Sequence, residues 1–200
     1  LRKSHERFIS RREWLKSMNT FSFAEYSDSD WDNFGKIRVI NEDIISPNSG
    51  FSMHSHSNME IITLVIKGAI THRDSLKNSG IINENEVQVM TAGTGISHSE
   101  KNEENKTCKL FQIWIIPNKK NLNPHYEQIS VENNIGENII IDSFNSENSK
   151  LLINQDISLW RCKYKSIKDK NLSLIIKKFN WIQIIEGDLL LRDKHISSHI

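Results

Sequence analysis

At 200 residues the chain is long enough to bury one sizeable hydrophobic core or two modest ones. Its 26 Lys and Arg against 25 Asp and Glu leave a net charge of +1, which gives no electrostatic reason to expect binding to nucleic acid or to an anionic membrane. Cys108 and Cys162 form no disulfide framework or Cys-rich zinc pattern, no stretch approaches the roughly 20 apolar residues of a membrane span, and residues 1–7 lack the apolar core of a secretory leader, so a cytoplasmic location is expected.

From Gly35 onward, short runs rich in Ile and Val alternate with turn-formers. Residues 36–40, 60–66, 87–90, 110–116, 138–141, 172–179 and 181–185 have the length and β-branched content of strands rather than helices. Between them lie Ser46-Pro47-Asn48-Ser49-Gly50, Lys77-Asn78-Ser79-Gly80 and Asn83-Glu84-Asn85-Glu86, which have the composition of tight turns. Only 8 Gly and 3 Pro serve so many turns, and the plentiful Asn, tolerant of left-handed backbone, takes part of that role. The pattern predicts an all-β barrel or sandwich. Residues 110–116 are apolar on both faces and should form a central strand, with Gln112 as its odd buried amide. The polar, Pro-containing stretch 118–130 reads as a linker, dividing the chain into 1–130 and 131–200.

His54-Ser55-His56 places two imidazoles at i and i+2, which on a strand project from one face about 6–7 Å apart. His98-Ser99-Glu100 repeats the spacing with an imidazole and a carboxylate, donors suited to Fe(II), Mn, Ni, Cu or Zn. An isolated His-x-His is common on polar strand faces and means little by itself. Two such pairs are a different matter, because adjacent strands of one barrel would bring them onto a single ion. The glycines of Gly93-Thr94-Gly95 permit the sharp turn needed to deliver His98 inward.

The two segments, Gly50-x3-His54-x-His56-x3-Glu60-x7-Gly68 and Gly93-x-Gly95-x2-His98, resemble the paired motifs of the cupin barrel. The similarity is closer still to the pirin family, with its bacterial quercetin 2,3-dioxygenase-like members. It is carried by Thr20-Phe21-Ser22-Phe23, by Phe34-Gly35-Lys36-Ile37-Arg38-Val39-Ile40-Asn41-Glu42-Asp43, by the His54 to Thr63 and Ala92 to Glu100 stretches, by His72-Arg73-Asp74-Ser75 and by Gln112-Ile113-Trp114-Ile115. It continues more faintly in Asn154-Gln155-Asp156 and around Trp181 to Gly187. The resemblance implies an all-β bicupin: an N-terminal metal-binding cupin domain over 1–130, and a second, metal-free cupin-like domain over 131–200, cut short at Ile200.

It also implies that His54, His56, His98 and Glu100 hold one divalent transition metal ion, Fe(II) first, with Mn, Ni, Co, Cu or Zn as alternatives. In many other cupins the Glu of the first motif is the ligand, which keeps Glu60 as a reserve candidate or as a partner orienting a histidine. Three positions depart from the family pattern: Asn19 where a His is usual, and Ser55 and Asn58 where Pro and Asp are usual.

The function implied is dioxygenase chemistry on quercetin or a similar enol-bearing aromatic, with dioxygen as co-substrate and Glu100 as the base that removes a substrate hydroxyl proton. The rival is a non-enzymatic, redox-responsive iron protein acting through a transcription-factor partner. A storage- or scaffold-type cupin is a third, weaker reading.

The remaining candidates weigh toward structural roles. His72 reads as a turn or hydrogen-bonding residue rather than a ligand. His195 and His199 have no patterned carboxylate, His5 and His125 have no companions, and Cys108 reads as a small core residue. Phe21, Phe23, Phe51 and Met53 are candidates to line an apolar pocket above the metal, or equally ordinary core.

Overall fold

The structure, a computed structural model, describes residues 2–144, 147, 149–164, 180–191 and 194–197. The strands are β1 (Phe8–Arg11), β2 (Leu15–Asn19), β3 (Ile37–Ile45), β4 (Ser49–His56), β5 (Glu60–Lys67), β6 (Ala69–Asp74), β7 (Ser79–Asn83), β8 (Glu86–Thr91), β9 (Ile96–Asn102), β10 (Cys108–Ile115), β11 (His125–Ser130), β12 (Gly136–Asp142), β13 (Ser158–Lys163), β14 (Asp188–Leu191) and β15 (Lys194–Ser197). Two short 3-10 turns, Ser4–Glu6 and Ser29–Trp31, are the only helical elements among the described residues.

A seven-stranded sheet in the order β1-β2-β3-β10-β5-β8-β11 faces a four-stranded sheet in the order β4-β9-β6-β7, and every ladder is antiparallel. The chain is an all-β cupin barrel, as the motif pair implies. In the middle of the large sheet, Gln112 lies opposite both Asn41 and Thr63, and Thr63 lies opposite Gln88. This register aligns a row of polar side chains along the face turned toward the small sheet.

The opposite face carries Ile40, Phe111, Ile62, Leu64, Val87 and Val89, which share one buried cluster with Ile140, Ile141 and Leu151 of the C-terminal segment. Each fully buried side chain of this kind contributes about 1.5–3 kcal/mol. Both faces of the central strands are therefore covered, which is why β5 and β10 read as continuous apolar runs rather than as alternating ones.

Three expectations need correction or bounding. Residues 125–130 are not linker: they form β11 and extend the large sheet by pairing with β8. Their edge position leaves them half-buried with no apolar run, so the signal is weak. Residues 181–185 form no strand. The apolar character of that run instead serves as an anchor, with the Trp181 ring 5.1 Å from Phe21 and 5.4 Å from Phe34. The predicted strand 172–179 lies outside the described residues. Residues 138–141 do form a strand, inside β12, and it pairs with β13.

Candidate metal centre

β4 and β9 are neighbours in the small sheet, and their register sets His54 directly opposite His98. Between Phe51 and His54 the register slips, because β4 carries an extra residue there. Such a bulge re-aims the side chains that follow it. Two glycines make this pairing possible. Gly50 lies so close to Glu100 that a Cβ would strike its carbonyl oxygen, and Gly93, at φ +50°, has the Leu122 carbonyl where a Cβ would stand.

The three imidazoles converge. Ring centroids are 4.5 Å apart for His54 and His98, 4.8 Å for His54 and His56, and 5.0 Å for His56 and His98. One ring nitrogen of each lies within 4.8 Å of the others. His54 Nδ1 donates to the Ser52 carbonyl at 2.7 Å, leaving Nε2 with a free lone pair. The Nε2 atoms of His56 and His98 are buried and have no hydrogen-bond partner among the described residues.

Buried bare nitrogens of this kind are costly unless something satisfies them, and neutral imidazoles clustered within one ion's reach are what a first-row divalent cation requires. The residues present thus fit a metal ion. Burial, reinforced by His54, His56 and His72, holds the His98 imidazole down at about 2, and burial with His54 nearby holds His56 at about 4. Both are neutral donors at ordinary pH.

Glu100 is 1% exposed, and its carboxylate clusters with His98 and His72, while His54 and His56 cluster with His98 in a second group that shares only His98 with it. Its carboxylate accepts from Thr63 Oγ1 at 3.2 Å and from the Gln112 side-chain amide. Gln112 in turn accepts the Trp114 indole N–H at 3.2 Å. The odd amide of the central strand therefore orients the carboxylate. Burial raises the Glu100 pKa above the usual carboxylate range, opposed by nearby His54 and by these hydrogen bonds.

Glu60 is fully buried but on the other side of the large sheet, where its carboxylate accepts from Thr91 Oγ1 at 2.9 Å and from the Asn154 backbone N–H at 3.3 Å. It belongs to neither group of potential ligands among the described residues. A turn with Asn58 at φ +51° separates His56 from Glu60, and β4 and β5 enter different sheets, so the Glu of the first motif does not share the face of His54 and His56.

His72, read in the sequence as a turn or hydrogen-bonding residue, sits closer to the site than that reading implies. It is fully buried on β6, where it pairs in register with Glu100, and its Nδ1 is 3.4 Å from His98 Nδ1. The available signal was the i, i+2 spacing of His72 and Asp74, the same spacing that flagged the other two pairs.

The aromatic candidates divide. Phe23 packs edge-on to Trp114 at 5.3 Å, and Trp114 stands 4.8 Å from the His56 ring, so these two wall the site. Phe51 lies 6.1 Å from His54. Phe21 belongs to the core on the far side of the sheet, and Met53 is exposed. Cys108 is buried in core as expected, its thiol pushed up to about 12 by burial and by Glu100 and Asp43.

His125 is exposed and pairs with Glu127 at 3.0 Å. His195 lies on β15, and His199 is outside the described residues. At the departures from the family pattern, Asn19 Nδ2 donates to Ser17 Oγ at 3.1 Å, Ser55 Oγ meets Ser97 Oγ at 2.7 Å, and Asn58 Oδ1 accepts from the Asn121 backbone at 2.7 Å.

Comparison with known proteins places the chain in a family. The Pirin family model matches residues 2–115. Over 194 residues, 96% of this chain and 83% of the relative, the sequence is 37% identical to the quercetin 2,3-dioxygenase of Escherichia coli strain K12. A pirin-like protein of Caulobacter vibrioides is 55% identical over 104 residues, 52% of this chain and 45% of its own length. The crystal structure of the bacterial pirin YhhW from Escherichia coli in complex with nickel(II) aligns with a TM-score of 0.88 at 35% identity, covering 98% of this chain and 85% of that one. A match of this extent, on a chain whose histidines converge as they do here, means that the chain belongs to the pirin family.

Proposed function

We propose that this chain is a metal-dependent dioxygenase acting on a flavonol such as quercetin or a similar enol-bearing aromatic, with His54, His56, His98 and Glu100 as ligands. The observation that carries the reading is the convergence of three imidazoles, with the buried Nε2 atoms of His56 and His98 lacking a partner among the described residues. The relative named quercetin 2,3-dioxygenase and the nickel-bound pirin structure support the same class of site. Fe(II) leads as the native ion, with Mn, Ni, Co, Cu and Zn as alternatives.

A divalent ion at this centre would favour ionisation of a substrate hydroxyl and leave coordination positions open to exogenous oxygen donors. The protein's own groups do the rest. Trp114 and Phe23 offer aromatic walls beside His56 for a planar substrate. Glu100, its pKa raised by burial, is suited to take a hydroxyl proton, while Thr63 and Gln112 hold its carboxylate in place. The four proposed ligands all lie within the 1–130 unit, and Ile140, Ile141 and Leu151 pack on the far face of the large sheet behind them.

The test is anaerobic reconstitution of the full chain with Fe(II) or nickel, followed by oxygen uptake with quercetin. Stoichiometric uptake with ring cleavage is expected. Tight metal binding without turnover across a flavonoid panel would sink the enzyme reading in favour of a regulator with a protein partner.

A further inference from the structure

We infer that His72 and Asp74 form, with His98, a buried relay that dictates which ring nitrogen of His98 faces the metal, making both of them positioning residues of the centre. The inference deepens the metal reading above and rests on it.

The chain of constraint starts at Asp74. Its Oδ1 accepts the backbone N–H of Leu76 at 2.9 Å and of Asn78 at 3.0 Å, and its Oδ2 accepts the Asn78 side-chain amide at 2.9 Å. Three N–H donors aimed at one carboxylate make it an acceptor only, locked in the turn that follows β6. Asp74 Oδ2 lies 3.2 Å from His72 Nε2, so Nε2 must carry the proton and donate.

That leaves His72 Nδ1 as a lone pair. Its neighbour at 3.4 Å is His98 Nδ1. Two bare nitrogens at this distance would repel, so His98 must carry its proton on Nδ1 and donate to His72. Neutral His98 has one ring proton, and its Nε2 is then the lone pair. This is the same atom found buried and without a partner among the described residues. Two independent features, the hydrogen-bond polarity on one side of the ring and the orphaned atom on the other, agree on the tautomer.

Ligating histidines usually donate the other ring N–H to a carboxylate or a carbonyl. His54 follows that rule with the Ser52 carbonyl, whereas His98 uses an imidazole with a carboxylate behind it. Packing holds the relay in line: the Tyr126 ring lies 4.7 Å from His72, and the His72 and His98 rings are 5.2 Å apart. Arg73, between the two relay residues, points outward to Glu103 at 2.7 Å, so alternation along β6 keeps His72 and Asp74 on the inner face.

The competing arrangement makes His72 itself a ligand together with His98 and Glu100, whose donor atoms also cluster. Nitrogen-15 spectra of the histidines in the metal-free full chain, with nickel titrations of wild type and variants, separate the two. The spectra should place the His98 proton on Nδ1. Asp74→Asn keeps an acceptor for the turn but presents an amide to His72, and should move the His98 proton to Nε2 and weaken nickel binding by about 10–100-fold. His72→Phe should lose as much, while His72→Gln, whose Oε1 still accepts from His98, should bind close to wild type.

A wild-type spectrum with the His98 proton on Nε2 overturns the relay without need of any variant. So does His72→Phe binding nickel as tightly as wild type, and so does His72→Gln binding no better than His72→Phe, which would make the imidazole a ligand. A wild-type chain that takes up no nickel overturns the metal reading instead, and the spectra still decide the tautomer.

Discussion

Glu60 accepts hydrogen bonds from both the backbone N–H and the side-chain amide of Asn154, at 3.3 Å each, across 94 residues of sequence. The contact joins the outer face of the barrel to the C-terminal segment, and Asn154 Nδ2 also reaches Thr91 Oγ1 at 3.2 Å. Glu60 is thus a clasp rather than a ligand. It stands where other cupins draw a metal donor, and here it faces away from the histidines.

Asn154→Ala removes the side-chain half of that clasp from a buried carboxylate. A loss of about 1–3 kcal/mol in stability is expected, because the acceptor is left short of donors in a site closed to water. Urea unfolding measures it. Nickel affinity should be unchanged in the same variant, since the clasp lies on the opposite face of the large sheet from His98.

Gln112→Leu strips Glu100 of its amide donor and leaves Thr63 as its remaining hydrogen-bond partner in the barrel. Weaker orientation of the carboxylate should lower nickel affinity by about tenfold, the low end for loss of a group that supports a ligand. Isothermal titration of the folded variant reads it. An unchanged affinity would place Glu100 outside the ligand set.

Asp43 gives the pH dependence of the metal-free chain a checkable component. Burial raises its carboxyl from 3.8 to about 7, against the hydrogen bond from Ser17. Below pH 3.8 both folded and unfolded states hold the proton, and Asp43 has no effect. Between 3.8 and about 7 the unfolded chain ionises there and the folded chain does not, so this group's contribution falls as pH rises, then levels off. Asp43→Asn abolishes that slope. Relative to wild type, the variant should therefore gain roughly a few kcal/mol on going from pH 4 to pH 8. Denaturant midpoints of both proteins at the two pH values give the difference directly.

Much of the site was legible because its grammar is local. His54 and His56, like His98 and Glu100, share a strand face by the two-residue period alone, and the glycines of Gly93-Thr94-Gly95 signalled a turn before β9. What parity cannot do is cross a turn. From His56 to Glu60 the two-residue count looks continuous, but Asn58 reverses the chain and sends β5 into the other sheet, so Glu60 faces away from the histidines.

His72 shows the complementary limit. Its i, i+2 partner Asp74 was visible, yet its importance comes from lying opposite Glu100 across the β6–β9 ladder and against His98, contacts set by pairing between distant strands. Trp181 is similar: an apolar run in isolation reads as a strand, and only the cluster of Phe21, Trp31 and Phe34 waiting for it makes it an anchor.

By itself, then, the sequence determined the all-β class, the central place of residues 110–116 and the pairs of donors, since side-chain alternation and apolar runs are properties of a few consecutive residues. The tertiary structure decided which pairs meet, which face Glu60 serves, what covers the large sheet and how His98 is held. Those depend on sheet order and register, which arise from contacts between segments far apart in the chain.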